Sequence, residues 1–352
     1  MRVFCTYFDH HYLPRGLALY ESLRRHCPTA ELWVLCLSHE CHDWLARKQL
    51  AGVRLITLEE FERADPALRQ ARQNRSIVEY YFTCTPALPR FVFDSAPQAD
   101  LVTYLDADLY FFRDPSLLFA EMAQASIAII GHRFAPAYRH LEKTGVYNVG
   151  WISFRGDEYG HACLAEWRRR CLEWCYDRVE EGRYGDQKYL DQWPTSFPGV
   201  AVIQHKGANL APWNLANYNI EFRDGRVWVD DQELLFFHFQ GFQQINRWLY
   251  EPHLIQYGVR PAHIVRQHIL LPYWRALRQA STTVAGATAE TQAPAGLRES
   301  NRKSLTTPGR WRQGWTQVRR WYRLSRGVLR QRYLFAWPGQ DEVPTRDREG
   351  DR

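Results

Sequence analysis

Residues 101–111 read LVTYLDADLYF, an apolar and β-branched run that contains two carboxylates. The run predicts a buried parallel strand that delivers Asp106 and Asp108 to the carboxyl edge of an open α/β sheet, where ligands of such folds bind. If the strand ends and turns at Ala107, both carboxylates can reach one divalent cation. The alternative is that Asp106 caps the next helix and Asp108 is solvated, because aspartate is common where strands meet loops.

The sequence before this strand alternates between strand and helix patterns. Residues 2–8, 31–37 and 53–58 are β-rich, and residues 13–26 and 39–50 carry apolar residues at helical spacing. This βαβα opening predicts half of a doubly wound nucleotide-binding sheet in an α/β fold. Neither a G-x-G-x-x-G turn nor a Walker-type loop follows the first strand, which argues against a dinucleotide dehydrogenase and a P-loop phosphotransferase.

The composition is that of a globular protein, with 352 residues of which 45% are apolar and 24% charged. No run approaches the roughly 20 apolar residues that a membrane-spanning helix needs, and no signal-peptide core precedes the first strand, so we expect a cytoplasmic protein. The eight cysteines are scattered, which indicates reduced thiols. Residues 36–42, CLSHECH, offer close zinc ligands, but without a second such pair we expect buried thiols at a helix start.

The formal net charge of +6 is concentrated near the C-terminus. Residues 302–332 contain ten Lys or Arg and no acidic residue, so the rest of the chain is net negative and a nucleic-acid role for it has no electrostatic support. Residues 280–300 are rich in Ala, Thr, Ser and Gly and predict a flexible linker. We therefore expect a domain at 1–279, a linker at 280–300 and a basic aromatic tail at 301–352.

Within the tail, Trp311, Trp315, Val318 and Tyr322 lie on one face of a predicted helix, and arginines occupy its other sides. This pattern is typical of helices at the surface of an anionic membrane, so residues 302–333 predict peripheral attachment to its cytoplasmic face. Docking of the helix on the protein's own acidic body is an alternative. A nucleic-acid patch is a third and weaker interpretation.

Several later stretches carry polar groups suited to a site. Strand 145–154 embeds Asn148 and Gly150 among apolar residues, and a glycine inside a strand is costly unless something approaches the backbone closely. A ligand at Asn148 would justify it. Asp186 follows a glycine and is expected to cap a helix. His238 ends a run of aromatic residues and is expected in the core unless the fold brings it to the carboxylates.

Two further stretches predict binding groups. The loop at 205–214 contains Trp213 and Asn214, and such loops bind sugars well, since a Trp face stacks on C–H surface while amides meet hydroxyls. Arg75, ahead of the Asp-Ala-Asp strand, is expected either to support packing or to pair with phosphate or a metal-binding carboxylate.

Taken in order, these motifs resemble those of the GT-A glycosyltransferases, and most closely those of family 8 and related bacterial polysaccharide and lipopolysaccharide sugar transferases. The resemblance extends from the first strand to residue 275 and rests on the ordered set as a whole. The set is Phe4-Cys5-Thr6-Tyr7-Phe8-Asp9, Arg75, Asp106-Ala107-Asp108, Asn148-Val149-Gly150, Asp186-Gln187, Trp213-Asn214 and His238-Phe239-Gln240-Gly241.

The resemblance implies a Rossmann-like mixed sheet flanked by helices and a role for each motif. Asp106, Asp108 and His238 are implied to hold Mn²⁺ or Mg²⁺ against the diphosphate of a nucleotide-sugar. Asp186 and Gln187 are implied to lie under the anomeric carbon as the catalytic pair. The implied substrate-binding residues are Thr6, Tyr7 and Asp9 at the base and ribose, Asn148 at the donor sugar, and Arg75, Lys206, Trp213, Asn214 and Gly241.

One departure from the family concerns the diphosphate. Family 8 has a lysine six residues after the metal-binding histidine, and this chain has Gln244 there. Lys206 and Arg247 are the candidates to replace that lysine. The departure weakens the assignment to family 8 itself and to the retaining stereochemistry it implies, and it affects the GT-A interpretation less.

The resemblance therefore implies a metal-dependent hexosyltransferase, retaining by preference, that moves a sugar from a UDP-sugar to a glycan or lipid-linked acceptor in surface polysaccharide biosynthesis. The bound cation would neutralise the leaving diphosphate without a proton donor. One alternative is a sugar-phosphate nucleotidyltransferase, although the Gly-rich basic loop usual in that class is missing after the first strand. The other is a catalytically silent carbohydrate-binding protein with the same fold.

Overall fold

The computed structural model describes residues 2–246, 248–290 and 334–335. The chain divides into two compact units, the first made of residues 1–240 and 262–294 and the second of residues 241–261 and 295–352. Among the described residues, no helix combines the length and the hydropathy that a membrane crossing requires.

The first unit alternates strands and helices along the chain. Its strands are β1 (Arg2–Phe8), β2 (Glu31–Cys36), β3 (Val53–Thr57), β4 (Leu101–Leu105), β5 (Leu109–Phe111), β6 (Ile127–Gly131), β7 (Tyr147–Arg155), β8 (Val200–Ile203), β9 (Ile220–Arg223), β10 (Arg226–Val229), β11 (Gln232–Glu233) and β12 (Phe236–His238). Its helices are α1 (Leu13–His26), α2 (His39–Lys48), α3 (Leu58–Ala64), α4 (Pro66–Arg72), α5 (Ile77–Cys84), α6 (Ala87–Ser95), α7 (Ser116–Met122), α8 (Glu158–Glu173), α9 (Trp193–Ser196), α10 (His263–Val265) and α11 (Leu271–Glu290).

The central sheet of this unit has seven strands in the order β3-β2-β1-β4-β7-β6-β8. β1 pairs in parallel with β2 and β4, whereas β7 is antiparallel to both β4 and β6. Because β4 and β6 both oppose β7, they run in the same direction and their carboxyl ends lie at one edge of the sheet. The predicted α/β fold with a mixed sheet flanked by helices is confirmed.

Successive residues of β1 face two separate apolar cores. Val3 and Cys5 belong to the core that contains Trp167, and Phe4 belongs to the core that contains Trp151. Side chains alternate between the two faces of a strand, so both faces of this central strand are buried. Burial of each large apolar side chain stabilises the fold by about 1.5–3 kcal/mol. The sheet that carries the carboxylates is thus held from both sides.

Helix α2 begins in the segment that offered close zinc ligands. Ser38 caps the helix, because its hydroxyl accepts a hydrogen bond from the N–H of Cys41 at 3.3 Å. Cys36 and Cys41 are both buried, and all eight cysteines are free thiols. In the described part of the chain, the one group of side chains close enough to hold a metal ion lies elsewhere. The expectation of buried thiols at a helix start is confirmed.

The prediction of a linker at 280–300 is wrong for residues 280–290, because helix α11 continues to Glu290. Ala280 is buried in the core that also holds residues of α1. The next three side chains donate hydroxyl hydrogen bonds of 2.7, 3.0 and 3.0 Å to carbonyls one turn back, namely Ser281, Thr282 and Thr283. Alanine is a strong helix former, and back-bonding lets serine and threonine remain in a helix, so this composition suits a packed helix as well as a linker.

The second unit contains short antiparallel strands, β13 (Gln243–Gln244), β14 (Leu249–Glu251) and β15 (Leu334–Phe335). Gly241 opens this unit with a φ of +73°, and a Cβ at this position would lie 2.6 Å from the ring of His253. Both observations require glycine. Apart from β15, the predicted tail at 301–352 lies outside the described residues.

Candidate active site

A turn between β4 and β5 holds the two carboxylates. The N–H of Leu109 donates to the carbonyl oxygen of Asp106 at 3.2 Å, which closes the turn that was predicted after the strand. β12 pairs antiparallel with β5 and sets His238 opposite Leu109. The carbonyl oxygen of Asp108 accepts a hydrogen bond of 3.0 Å from the N–H of Phe239, the residue after His238. Backbone pairing therefore brings the late histidine to the carboxylates.

The three side chains form a compact group of ligand atoms. His238 Nε2 lies 3.1 Å from Asp108 Oδ1 and 3.6 Å from Asp106 Oδ2. One ligand atom from each residue lies within 4.8 Å of the other two. Two carboxylates and one imidazole suit a divalent cation such as Mn²⁺ or Mg²⁺. The structure thus assembles the residues predicted as metal ligands.

Burial and the neighbouring charges shift the pKa values of all three side chains in this group. Burial is the main reason that the pKa of Asp106 lies above its usual value; His238 opposes this shift and Asp108 adds to it. Burial alone would raise the pKa of Asp108, but the charge and hydrogen bond of His238 bring it below its usual value. Burial disfavours the imidazolium, yet Asp108 outweighs it, so the pKa of His238 is raised. A positive charge is therefore favoured between the carboxylates.

Asn148 joins this group to further side chains. Its Oδ1 accepts the N–H of Gly150 at 3.1 Å and lies 3.2 Å from His238 Nδ1. Its Nδ2 lies 3.1 Å from His132 Nε2 and donates to Gln187 Oε1 at 3.4 Å. A Cβ on Gly150 would lie 2.6 Å from Asn148 Oδ1 and 2.8 Å from the ring of His238. The predicted close approach at this glycine is thus made by the protein's own side chains.

Asp186 lies close enough to the two carboxylates for the Asp106 charge to affect its pKa. Burial raises the pKa of Asp186 to about 7; a hydrogen bond with Thr85 lowers it, and Asp106 raises it further. Thr85 Oγ1 shares a hydrogen bond of 3.1 Å with the hydroxyl of Tyr7, and the hydroxyl of Tyr104 donates to Asp106 Oδ1 at 2.8 Å. The helical segment after Asp186 has no side-chain cap, so the prediction that Asp186 caps a helix is wrong.

The loop at 205–214 is buried and not open to a sugar. Trp213 Nε1 and Asn214 Nδ2 both donate to the carbonyl oxygen of His132 at 2.8 Å. The Trp213 ring meets the rings of His132 and His238 edge-on at 5.4 and 5.2 Å. Trp213 and Asn214 therefore present no free ring face or amide to a sugar, because these groups satisfy buried backbone atoms and pack against His238.

Two predicted cations have partners of their own. Lys206 Nζ lies 3.1 Å from a carboxylate oxygen of Asp230 and 2.9 Å from one of Asp231. The Arg75 guanidinium donates to a threonine hydroxyl at 2.8 Å and to the carbonyl of Leu172 at 2.7 Å, which ties the start of α5 to α8. Both charges serve local structure, so we leave Lys206 and Arg75 out of the proposed site.

The other predicted residues lie at the end of β1 or in the second unit. Thr6 is fully buried within the sheet, whereas Asp9 accepts two backbone N–H groups at 3.0 and 3.1 Å and orders the start of α1. Gly241 belongs to the second unit, and Arg247 lies outside the described residues.

Three further residues belong near the candidate site, namely His132, Tyr12 and Arg15. His132 directly follows the apolar strand β6, just as Asp106 follows β4, and parallel strands that end in polar residues place them at the same edge. Tyr12, beside α1, keeps 46% of its surface exposed, and its pKa is raised by partial burial and then by Asp108. The Arg15 guanidinium lies 4.5 Å from the centre of the Tyr12 ring.

The sequence matches no protein-family model. Solved structures that match include the galactosyltransferase LgtC in complex with donor and acceptor sugar analogs, with 16% identity over 89% of this chain and 99% of that chain and a TM-score of 0.48. Another is the glycosyltransferase GlyE of Streptococcus pneumoniae TIGR4, with 15% identity over 82% of this chain and 64% of that chain and a TM-score of 0.48.

Two relatives from Bacillus subtilis strain 168 are closer in sequence. The uncharacterized protein YfnD is 34% identical over 246 residues, which are 69% of this chain and 78% of YfnD. The uncharacterized protein YfnF is 32% identical over 251 residues, which are 69% of this chain and 82% of YfnF. The chain therefore belongs to the protein family that includes YfnD and YfnF of Bacillus subtilis.

Proposed function

We propose that the chain is a metal-dependent GT-A glycosyltransferase that moves a sugar from a nucleoside diphosphate sugar, by preference a UDP-sugar, to a glycan or lipid-linked acceptor. The observation that carries the proposal is the convergence of Asp106, Asp108 and His238 at the carboxyl edge of the sheet. This donor set fits Mn²⁺ or Mg²⁺. When bound, such a cation neutralises the charge that develops on the leaving diphosphate.

In the proposed reaction, Asp186 and Gln187 meet the sugar. Because the pKa of Asp186 is raised to about 7 by burial, its carboxyl group can accept or donate a hydrogen bond to a sugar hydroxyl near neutral pH. Gln187 is held at both ends, since Nε2 donates to the Thr144 carbonyl at 3.1 Å and Oε1 accepts from Asn148 at 3.4 Å. A fixed amide beside a carboxyl group suits an oxocarbenium-like centre. Retention of the anomeric configuration is proposed from the resemblance to family 8.

The nucleotide end of the donor is assigned to the start of α1. Tyr12 offers an exposed ring on which a base can stack. Arg15 lies on the first turn of the same helix, and its guanidinium lies 4.5 Å from the centre of the Tyr12 ring. Burial raises the pKa of Asp108, His238 lowers it below its usual value, and the charge of Arg15 lowers it further. Arg15 replaces Lys206 as the proposed cation for the diphosphate.

The acceptor and the location are proposed from sequence alone. The basic aromatic segment 302–333 attaches the enzyme to the cytoplasmic face of an anionic membrane, where lipid-linked intermediates of surface polysaccharides are assembled. The acidic remainder of the chain gives no support for a nucleic-acid partner.

The test is to incubate the full chain with Mn²⁺ and a panel of UDP-, GDP- and other nucleotide-sugars, and to measure release of the nucleoside diphosphate. We expect release with one or a few donors, strongest for a UDP-sugar, and a product of retained anomeric configuration. Reaction of nucleoside triphosphates with sugar phosphates alone would identify a nucleotidyltransferase. Glycan binding without any release of nucleotide would identify a silent carbohydrate-binding protein.

A further inference from the structure

The hydrogen bonds around Asn148 fix which atoms carry protons. The backbone N–H of Gly150 can only donate, so the Asn148 atom at 3.1 Å from it is the amide oxygen. The same oxygen lies 3.2 Å from His238 Nδ1, which must therefore be the protonated ring nitrogen. His238 Nε2 is therefore the ring nitrogen that faces both carboxylates, and it can offer a lone pair to a cation once the cation displaces its proton.

The other end of the amide is anchored in the same way. Asn148 Nδ2 lies 3.1 Å from His132 Nε2 and 3.4 Å from Gln187 Oε1, and both of these atoms act as acceptors. Burial lowers the pKa of His132 to about 3, so its ring is neutral and keeps a lone pair on Nε2. The amide oxygen accepts two hydrogen bonds and the amide nitrogen donates two, which uses the full capacity of Asn148.

We infer that Asn148 and His132 are positioning residues that keep His238 Nδ1 as a hydrogen-bond donor to the Asn148 amide and so hold Nε2 aimed at the cation site. The inference rests on the proposed function and deepens it. Metal-binding histidines generally donate their second ring nitrogen to a partner that fixes the tautomer and the ring orientation. Here that partner is an amide, and His132 prevents the amide from flipping.

Packing holds His132 in turn. Its ring stacks on Phe134 at 4.6 Å with an interplanar angle of 10°, and its carbonyl oxygen accepts from Trp213 and Asn214. The loop predicted to bind sugar thus supports the histidine that supports the metal ligand. Because Asn148 also donates to Gln187, one side chain sets the geometry of both the metal ligand and the amide proposed beneath the sugar.

The test compares His132→Phe with the full-length wild-type protein. Phenylalanine keeps the stacked ring and removes the acceptor for Asn148. We expect Mn²⁺ binding, measured by electron paramagnetic resonance without nucleotide, to weaken by about tenfold, as is typical when the outer partners of metal ligands are lost. His132→Gln, which can restore an acceptor, should recover part of the affinity.

The control is His161→Phe, because His161 is an exposed ring that contacts Phe93 at 4.9 Å. It should leave Mn²⁺ affinity unchanged. A folded His132→Phe protein with wild-type Mn²⁺ affinity would overturn the inference and leave the proposed function intact. A wild-type protein that binds no Mn²⁺ would instead overturn the proposed function, and the inference with it.

Discussion

Replacing Gly150 with alanine tests whether close packing beneath His238 sets the geometry of the metal site. The new Cβ would lie 2.6 Å from Asn148 Oδ1 and 2.8 Å from Cε1 and Nδ1 of His238, whereas ordinary van der Waals contact begins at 3.4 Å. The φ angle of Gly150 is not in the left-handed region, so the backbone accepts alanine without strain. The effect of the substitution is therefore steric, and it falls on the two side chains that orient the metal ligand.

The size of the effect follows from these distances. Overpacking of a buried site costs about 1–3 kcal/mol, and the lower entropy of the unfolded alanine chain returns about 0.5–1 kcal/mol, so we expect a net loss of stability on the order of 1–2 kcal/mol. The His238 ring must move by several tenths of an ångström, and metal–ligand distances tolerate about 0.2 Å. We therefore expect Mn²⁺ affinity to fall by about 10- to 100-fold.

The assay is a thermal unfolding curve together with a Mn²⁺ titration of the same preparation. Gly131→Ala serves as the control, since its nearest neighbour would be Arg133 Cγ at 3.4 Å, which is an ordinary contact. Gly131→Ala should bind Mn²⁺ as the wild type does. If Gly150→Ala kept both wild-type stability and wild-type Mn²⁺ affinity, the packing argument would be refuted.

Three further predictions test other parts of the structure. Burial raises the pKa of Asp186 to about 7, so the stability contributed by its protonated form is complete below about pH 4 and is lost as the pH rises to 7. The free energy of unfolding of Asp186→Asn should therefore exceed that of the wild type by up to ~4 kcal/mol at pH 8 and equal it at pH 4. Equal free energies of unfolding at both pH values would contradict the burial of this carboxyl group. Ala280→Glu should lower the melting temperature by several degrees because Ala280 is buried in α11, while exposed Thr283→Glu should not, and no difference between them would favour a linker. Replacing Trp311 and Trp315 together with alanine should abolish co-sedimentation with anionic liposomes and leave donor hydrolysis unchanged; undiminished sedimentation would remove the membrane proposal.

The features that the sequence predicted well depend on neighbouring residues. The apolar run before Asp106 predicts both the strand and its end, because the change from apolar to acidic residues is local. β9 and β10 form a hairpin around Asp224-Gly225 with φ values of +52° and +71° at these two residues, a conformation that the Asp-Gly pair favours locally. Only the family resemblance predicted that His238 belongs to the candidate site. Its position depends on the pairing of β12 with β5, and these strands are far apart in the chain.

The features that it predicted poorly depend on distant partners. Trp213 and Asn214 were predicted to face a sugar, but their donors go to the carbonyl of His132, which no local pattern relates to that loop. Asn148 was predicted as a sugar ligand by its motif, and only its four contacts show that the amide is fully used. Composition misassigned the start of the linker because alanine-rich sequence suits both flexible and helical chain.

The central claim is that the carboxylates hold a cation on which sugar transfer depends. The most direct measurement is nucleoside diphosphate release by Asp108→Asn and by wild type, each in Mn²⁺ and in EDTA, with the exposed Asp43→Asn on α2 as the control. We expect release by the wild type and by Asp43→Asn in Mn²⁺ alone, and at least a hundredfold loss in folded Asp108→Asn. Release by Asp108→Asn at the wild-type rate, or by the wild type in EDTA, would contradict the claim.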